Sequence, residues 1–324
     1  MSESEFDIIN TYFSHIGESS DWLITGVGDD AAVLEIDPEQ QQLIAVDTLN
    51  AGMHFPIETP AAEIGYKALA VNISDIAAMG GQPLWFTLSL SLPDIDHDWL
   101  RGFSSGLSEL ANKNHLKLVG GDTTKGPLSI TIQIAGVVPK GKALRRSGAK
   151  VGDGVYVSGT LGDAAAGLIV LQQSSKDYAP QQQVLIDRLQ RPSPRVELGL
   201  ALRNLATSCI DVSDGLAADL GHILNASKVG AELTLEDIPL SPSIQQSGLE
   251  SGSLYELALH GGDDYELCFT APESKRPDVE ALSQQTDCRI SCIGKIIQEN
   301  GLFTIVQGQR KAITKTGYDH FISS

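Results

Sequence analysis

The chain has 324 residues, 42% of them hydrophobic and 20% charged, with a formal net charge of −18. Its length exceeds what one hydrophobic core usually serves, so two domains are expected, and its composition is globular rather than disordered or fibrous. No run of ~20 apolar residues exists to span a membrane, the acidity disfavours nucleic acid and anionic lipid, and the acidic start Met1–Phe6 lacks the features of a signal peptide, so a cytoplasmic location is expected.

In chain order, Phe6, Ile9, Phe13 and Ile16 predict a helix over Ser4–Ile16, and Gly26–Leu34 reads as a tight turn entering a strand. A strand over Leu43–Val46 runs into Asp47-Thr48. A helix over Thr59–Met79 starts on a capping-box pattern, Thr59 with Glu63, and stops at Gly80-Gly81. Leu84–Leu92 alternates apolar and polar residues, the mark of a half-buried strand. A helix over Asp96–Asn114 follows, then a strand over Lys117–Val119 that delivers Gly120-Gly121-Asp122, then a strand over Ser129–Val138.

Glycine and basic residues between Pro139 and Gly154 mark a boundary, giving domains 1–140 and 150–324. The second half opens with a strand over Val155–Ser158, the turn Gly159–Gly162 and a helix from Asp163. Ser174–Gln183 reads as a polar loop. Ile210–Gly215 is a strand end followed by a helix to Asn225, and His260–Tyr265 precedes a strand over Glu266–Thr270. The lack of a strict βαβα rhythm favours α+β. Cys209 and Cys268 sit in apolar runs and read as buried reduced thiols. Cys288 and Cys292 have no second Cys/His pair beside them, which argues against zinc.

Acidic motifs recur, several of them beside glycine at these strand ends: Asp29-Asp30, Asp47, Asp75, Asp122, Asp211 with Asp214, and Asp263-Asp264. Any one of them alone is an ordinary turn. Asp75 resists that reading, because its helical neighbours are almost all apolar, so it is expected to be largely buried and to need a cation. If several carboxylates converge, each like-charged pair at 4 Å costs about 4 kcal/mol at an effective dielectric near 20. Hard oxygen ligands without His or Cys point to magnesium. Glycine turns whose N–H groups face outward suit phosphate, so metal-bridged nucleotide is the expected ligand. There is no G-x-x-x-x-G-K-[ST], H-R-D or D-F-G motif, which excludes the P-loop and protein-kinase folds. Gly159-x-x-Gly162 and Arg145-Arg146 are weaker phosphate candidates.

Taken in order, these motifs closely resemble the thiamine-monophosphate kinases, of the superfamily that includes aminoimidazole ribonucleotide synthetase and selenide water dikinase. The likeness covers nearly the whole chain. It is carried by Gly26–Ala32, Asp47-Thr-Leu, His54-Phe, Tyr66–Gly80, Gly120–Thr124, Arg146–Ala149, Arg191-Pro-Ser-Pro-Arg, Ile210–Leu216, Gly261–Leu267 and Gly317–Phe321.

The resemblance implies an α+β protein of two α/β domains. An N-terminal mixed-sheet domain would dimerise through its strands, and a C-terminal α/β domain would close the cleft. It implies the final step of thiamine diphosphate biosynthesis: transfer of the ATP γ-phosphoryl to thiamine monophosphate, with several magnesium ions and ATP as co-substrate. By motif, Asp30, Val46 (through its carbonyl), Asp47, Asp75, Asp122, Asp211 and Asp214 correspond to metal ligands. Gly121, Asp122, Arg146 and Ser213 correspond to nucleotide contacts, and His54, Asp263 and Tyr318 to the substrate side. Asp29 and Asp264 receive no role. Relatives often carry Ser or Thr where this chain has Ala45 and Val46, and Glu where it has Asp263.

A phosphate monoester is mostly ionised at pH 7, so the acceptor needs no general base and no catalytic side chain is expected. Direct in-line transfer follows as the expected route. A related synthetase with another acceptor, a metal-dependent phosphatase and a non-catalytic nucleotide sensor are the competing readings.

Overall fold

The computed structural model describes residues 5–17, 20–27, 31–35, 37–173 and 177–313. The chain divides into two compact units, one of Met1–Ile76 with Gly81–Gly141 and one of Ala77–Gly80 with Lys142–Ser324. Mixed sheets combine with helices in an α+β arrangement, as the pattern of predicted elements implied.

In the first unit, α1 (Glu5–Ile8) runs into a π-helical turn, Ile9–Phe13, so the opening helix ends earlier than its apolar spacing predicted. Next come β1 (Leu23–Thr25), β2 (Val33–Leu34), β3 (Gln40–Asn50), α2 (Ala61–Ala78), β4 (Gln82–Leu92), α3 (His97–Lys113), β5 (Lys117–Lys125) and β6 (Ser129–Pro139). Asp96 caps α3 by accepting N–H bonds from Asp98 at 2.9 Å and Trp99 at 3.1 Å. Four strands form one sheet in the order β3–β6–β4–β5, with β4 and β5 parallel and the other pairs antiparallel.

One face of this sheet carries the buried Phe86, Leu88, Leu90, Ile130, Ile132 and Ile134, and Ile76 of α2 reaches the backbone of β6 there at Gly136. The opposite face is open: Ile44 and Val46 are each 60% exposed, and Ser89 and Gln133 are exposed as well.

Two predicted strands are longer than expected. β3 spans 11 residues, because β6 pairs with it along its whole length, so Asp47 lies within a strand and not after one. β5 continues through Gly120-Gly121-Asp122 to Lys125, because parallel pairing with β4 satisfies its backbone that far. A register shift that skips Val119 admits the glycines, and Gly121 is required: a Cβ there would lie 1.9 Å from the Leu88 carbonyl oxygen.

The second unit contains β7 (Gly154–Ser158), α4 (Asp163–Leu171), α5 (Pro180–Gln190), α6 (Val196–Leu202), β8 (Ser208–Asp211), α7 (Leu216–Ser227), β9 (Gly230–Thr234), α8 (Pro242–Gln245), α9 (Ser251–His260), β10 (Leu267–Ala271), α10 (Arg276–Gln285), β11 (Ile290–Ile297), β12 (Gly301–Val306) and β13 (Gln309–Ala312). Its seven-stranded sheet has the order β13–β12–β9–β11–β7–β10–β8, with only β12 and β9 parallel. Residues of α7 and α9 pack with Val155 and Val157 on one face, and residues of α6 and α10 pack with Tyr156 and Phe269 on the other. β7 is accordingly buried throughout.

Pro180, read from sequence as part of a loop, instead starts α5, where its fixed φ and missing N–H suit a first helical turn. Cys209 and Cys268 are buried free thiols, raised in pKa by burial.

Candidate active site

In the second unit two chain segments are zipped together beyond the end of the β8–β10 ladder, in which Asp211 pairs with Leu267. The Tyr265 N–H donates to the Val212 carbonyl at 2.8 Å, and the Asp263 N–H donates to the Ser213 carbonyl at 2.7 Å. Gly262 makes the approach possible, since a Cβ there would lie 2.4 Å from the Ser213 oxygen. Asp211, Ser213, Asp214 and Asp263 are thereby gathered into one loop cluster. Asp211 is buried, and the other three are half-buried.

A fourth carboxylate supports this cluster from beneath. Asp219, in the first turns of α7, accepts the Ser213 and Asp214 N–H groups, both at 3.0 Å. Burial pushes its pKa up to about 8, and the charges of Asp211 and Asp214 push the same way, against those two hydrogen bonds. Burial is the larger cause; the repulsion from Asp211 and Asp214 is the part that a cation would relieve.

Behind the cluster lies an ion-pair core that the sequence reading did not single out. Glu266 is fully buried. It accepts from Arg195 Nε at 2.6 Å and Nη2 at 2.5 Å, from Arg188 Nη2 at 2.8 Å and from Ser158 Oγ at 2.6 Å. Burial alone would raise its pKa, but the Arg195 hydrogen bonds and the two guanidinium charges hold it below the ordinary carboxylate range. Arg195 closes the Arg191-Pro-Ser-Pro-Arg motif. A glutamate opening an otherwise apolar strand was the available signal that a buried cation waited for it. Arg146 is exposed, and its backbone sits toward the far end of α7, where its carbonyl accepts from Ser227 Oγ at 3.4 Å.

In the first unit the predicted residues are spread over one sheet, α2 and the turn after β3. Register places Asp47 opposite Ile132 on the core face, and Asp122 beside Ser89 on the open face, with Gly121 next to it. Val46 faces outward. Asp75 is half-buried rather than largely buried as its apolar neighbours suggested, although residues 64–74 before it are buried on every side of α2. Three residues before it, Asn72 is wholly buried, and its Oδ1 has no hydrogen-bond partner. His54 sits in the turn after β3, where its Nδ1 accepts from the Asn50 N–H at 2.9 Å. That bond puts the proton of the neutral ring on Nε2, making it a donor. Asp30 and Tyr318 lie outside the described residues.

Among the described residues, no three His, Cys, Asp or Glu side chains form a group that could hold a metal ion. The donor set nevertheless suits magnesium in kind, being hard oxygens throughout, with the orphaned Asn72 Oδ1 one helical turn from Asp75. A cavity of about 450 Å³ elsewhere in the second unit, lined by Tyr156, Arg276, Arg289 and Cys292 among others, includes none of the predicted residues.

Residues 28–138 match the model of the AIR synthase related protein N-terminal domain, and residues 150–307 match that of its C-terminal domain. The chain is 47% identical over 323 residues to the thiamine-monophosphate kinase of Escherichia coli (strain K12), covering 99% of each. It superposes on the crystal structure of the thiamine-monophosphate kinase from Stenotrophomonas maltophilia K279a with a TM-score of 0.84 at 45% identity, covering 88% of this chain and 91% of that one. For AaThiL complexed with AMPPCP and TMP the TM-score is 0.80 at 33% identity, covering 91% and 92%.

Proposed function

The chain belongs to the AIR synthase related family and, within it, to the thiamine-monophosphate kinases, and on that premise we propose how its residues divide the work. It is an ATP-dependent phosphotransferase that converts thiamine monophosphate to thiamine diphosphate; its full-length likeness to the Escherichia coli kinase is the observation that carries this. An oxygen of the acceptor phosphate attacks the γ-phosphorus, a new P–O bond forms, and the bond to the bridging oxygen breaks to leave ADP. The acceptor oxygen is already ionised at neutral pH, so no side chain need remove a proton, and the protein's task is to align two polyanions.

Several magnesium ions, when bound, would supply the positive charge that neutralises those polyanions and the transferring phosphoryl. Asp30, the Val46 carbonyl, Asp47, Asp75, Asp122, Asp211 and Asp214 would hold them; the mutual electrostatics of Asp211, Asp214 and Asp219 support this reading in the second unit. Gly121, Asp122, Arg146 and Ser213 would contact nucleotide. His54, through its Nε2 proton, would meet the acceptor phosphate together with Asp263 and Tyr318.

A homodimer formed through the first unit's strands is supported by the open face bearing Ile44 and Val46, which a second copy of that face would cover. The cytoplasm is assigned as the place of reaction because ATP is the donor; among the described residues no helix is long and apolar enough to cross a membrane.

The test is ADP release from magnesium-ATP with thiamine monophosphate, with thiamine and with no acceptor. Turnover with the monophosphate alone is expected. Equal turnover without acceptor would indicate a hydrolase, and none in any arm a nucleotide sensor.

A further inference from the structure

Asp264 is one of the most buried carboxylates in the chain, yet neither its motif nor its burial gives it a part in binding. Its two neighbours have left-handed backbones, with φ of 62° at Asp263 and 50° at Tyr265. Side chains other than glycine rarely adopt that conformation, and it persists only where the surroundings enforce it. Asp263 and Tyr265 also touch each other, the Tyr265 hydroxyl donating to Asp263 Oδ1 at 3.2 Å.

Between them the Asp264 side chain turns inward to the start of α4. Its Oδ2 accepts the Gly162 N–H at 2.7 Å, and its Oδ1 lies 3.4 Å from the Ala164 nitrogen. Gly162 is the N-cap of that helix and has no side chain with which to cap it, so Asp264 supplies the missing acceptor from another part of the chain. The grip is reinforced by Arg188, whose Nη2 reaches the Asp264 carbonyl at 3.5 Å and Glu266 at 2.8 Å, and whose Nε lies 3.9 Å from Asp163.

We infer that Asp264 is a positioning residue for the acceptor side of the reaction, anchoring the left-handed turn to α4 so that Asp263 is held in its binding orientation. This rests on the reading of Asp263 as a thiamine monophosphate contact. With the anchor gone, the turn can relax into ordinary backbone conformations and carry Asp263 away. The nucleotide side is tied to this turn through backbone hydrogen bonds, from the Asp263 N–H to the Ser213 carbonyl and from the Tyr265 N–H to the Val212 carbonyl, so it should feel the change less than the Asp263 side chain does.

The experiment is a double-mutant cycle on the full-length enzyme, measuring KM for each substrate and kcat in Asp263→Ala, Asp264→Ala and the double variant. Asp264→Ala should raise the KM for thiamine monophosphate by ~10-fold, as expected for one lost contact, and that for ATP by clearly less, about threefold at most. Asp264→Asn, whose side-chain carbonyl can still accept from Gly162, should recover most of the loss. In the Asp263→Ala background, Asp264→Ala should add less than about twofold. If Asp264→Ala fails to fold by circular dichroism, Asp264→Ser, too short to reach Gly162, replaces it in the cycle. Full additivity, or equal rises in both KM values, overturns the inference while leaving Asp263 as a contact. An unchanged KM in Asp263→Ala overturns the assignment of Asp263 itself, and the inference with it.

Discussion

Replacing Glu266 by alanine removes the one carboxylate that two guanidinium groups share. Arg188 and Arg195 are only 18% and 21% exposed, so both would remain largely desolvated, Arg188 keeping Asp163 at 3.9 Å and Arg195 losing its carboxylate. Breaking a buried pair from one side costs about 3–5 kcal/mol, and their partial exposure argues for the lower end, about 3 kcal/mol. For a unit of this size that corresponds to a melting-temperature loss of roughly 6–12 °C.

The pH dependence follows from the sign of the shift. Glu266 is held below its ordinary value in the fold. Its contribution is therefore complete above the unfolded-state pKa of about 4.3 and is lost as pH falls through the depressed folded value. The stability gap between the native chain and Glu266→Ala should thus be constant from about pH 6 to 8 and narrow below about pH 4. Urea unfolding across that range reads it directly. A gap under about 1 kcal/mol at pH 7 would refute the reasoning, as would one that does not narrow in acid.

Gly121→Ala should lower both activity and melting temperature, since its Cβ would meet the Leu88 carbonyl; Gly120→Ala, with nothing within 4 Å of the new atom, should leave the melting temperature unchanged. Asp75→Asn and Asp122→Asn should abolish turnover while leaving the far-ultraviolet circular dichroism intact; full turnover in either would remove that residue from the metal set. Sedimentation equilibrium should find a dimer for the native chain and a monomer for Val46→Asp, which puts a charge on the open face of the first unit's sheet; a monomeric native chain would refute the proposed dimer.

The sequence was most readable where local pattern decides structure. The alternation through Leu84–Leu92 foretold β4 almost to its ends, and the Thr59 start signal foretold α2 within two residues. It was least readable where a distant partner decides. β5 runs on through Gly121-Asp122 because β4 lies beside it, which nothing in Lys117–Lys125 announces. The repeated Asp beside Gly drew attention to the candidate site, and the family likeness tied it to a reaction. That Ser213 and Asp263 meet depends on two backbone hydrogen bonds between segments some 50 residues apart. The Glu266–Arg188–Arg195 core was not legible as a unit because its members lie up to 78 residues apart and only the fold brings them together.

The central claim is that the γ-phosphoryl of ATP passes directly to the phosphate of thiamine monophosphate. Single-turnover transfer from ATP chiral at the γ-phosphorus, with thiamine diphosphate as the recovered product, tests it most directly. The account predicts the label in the terminal phosphate of thiamine diphosphate with inverted configuration. Retained configuration, or label trapped on the protein in a form that then reacts with thiamine monophosphate, would contradict it.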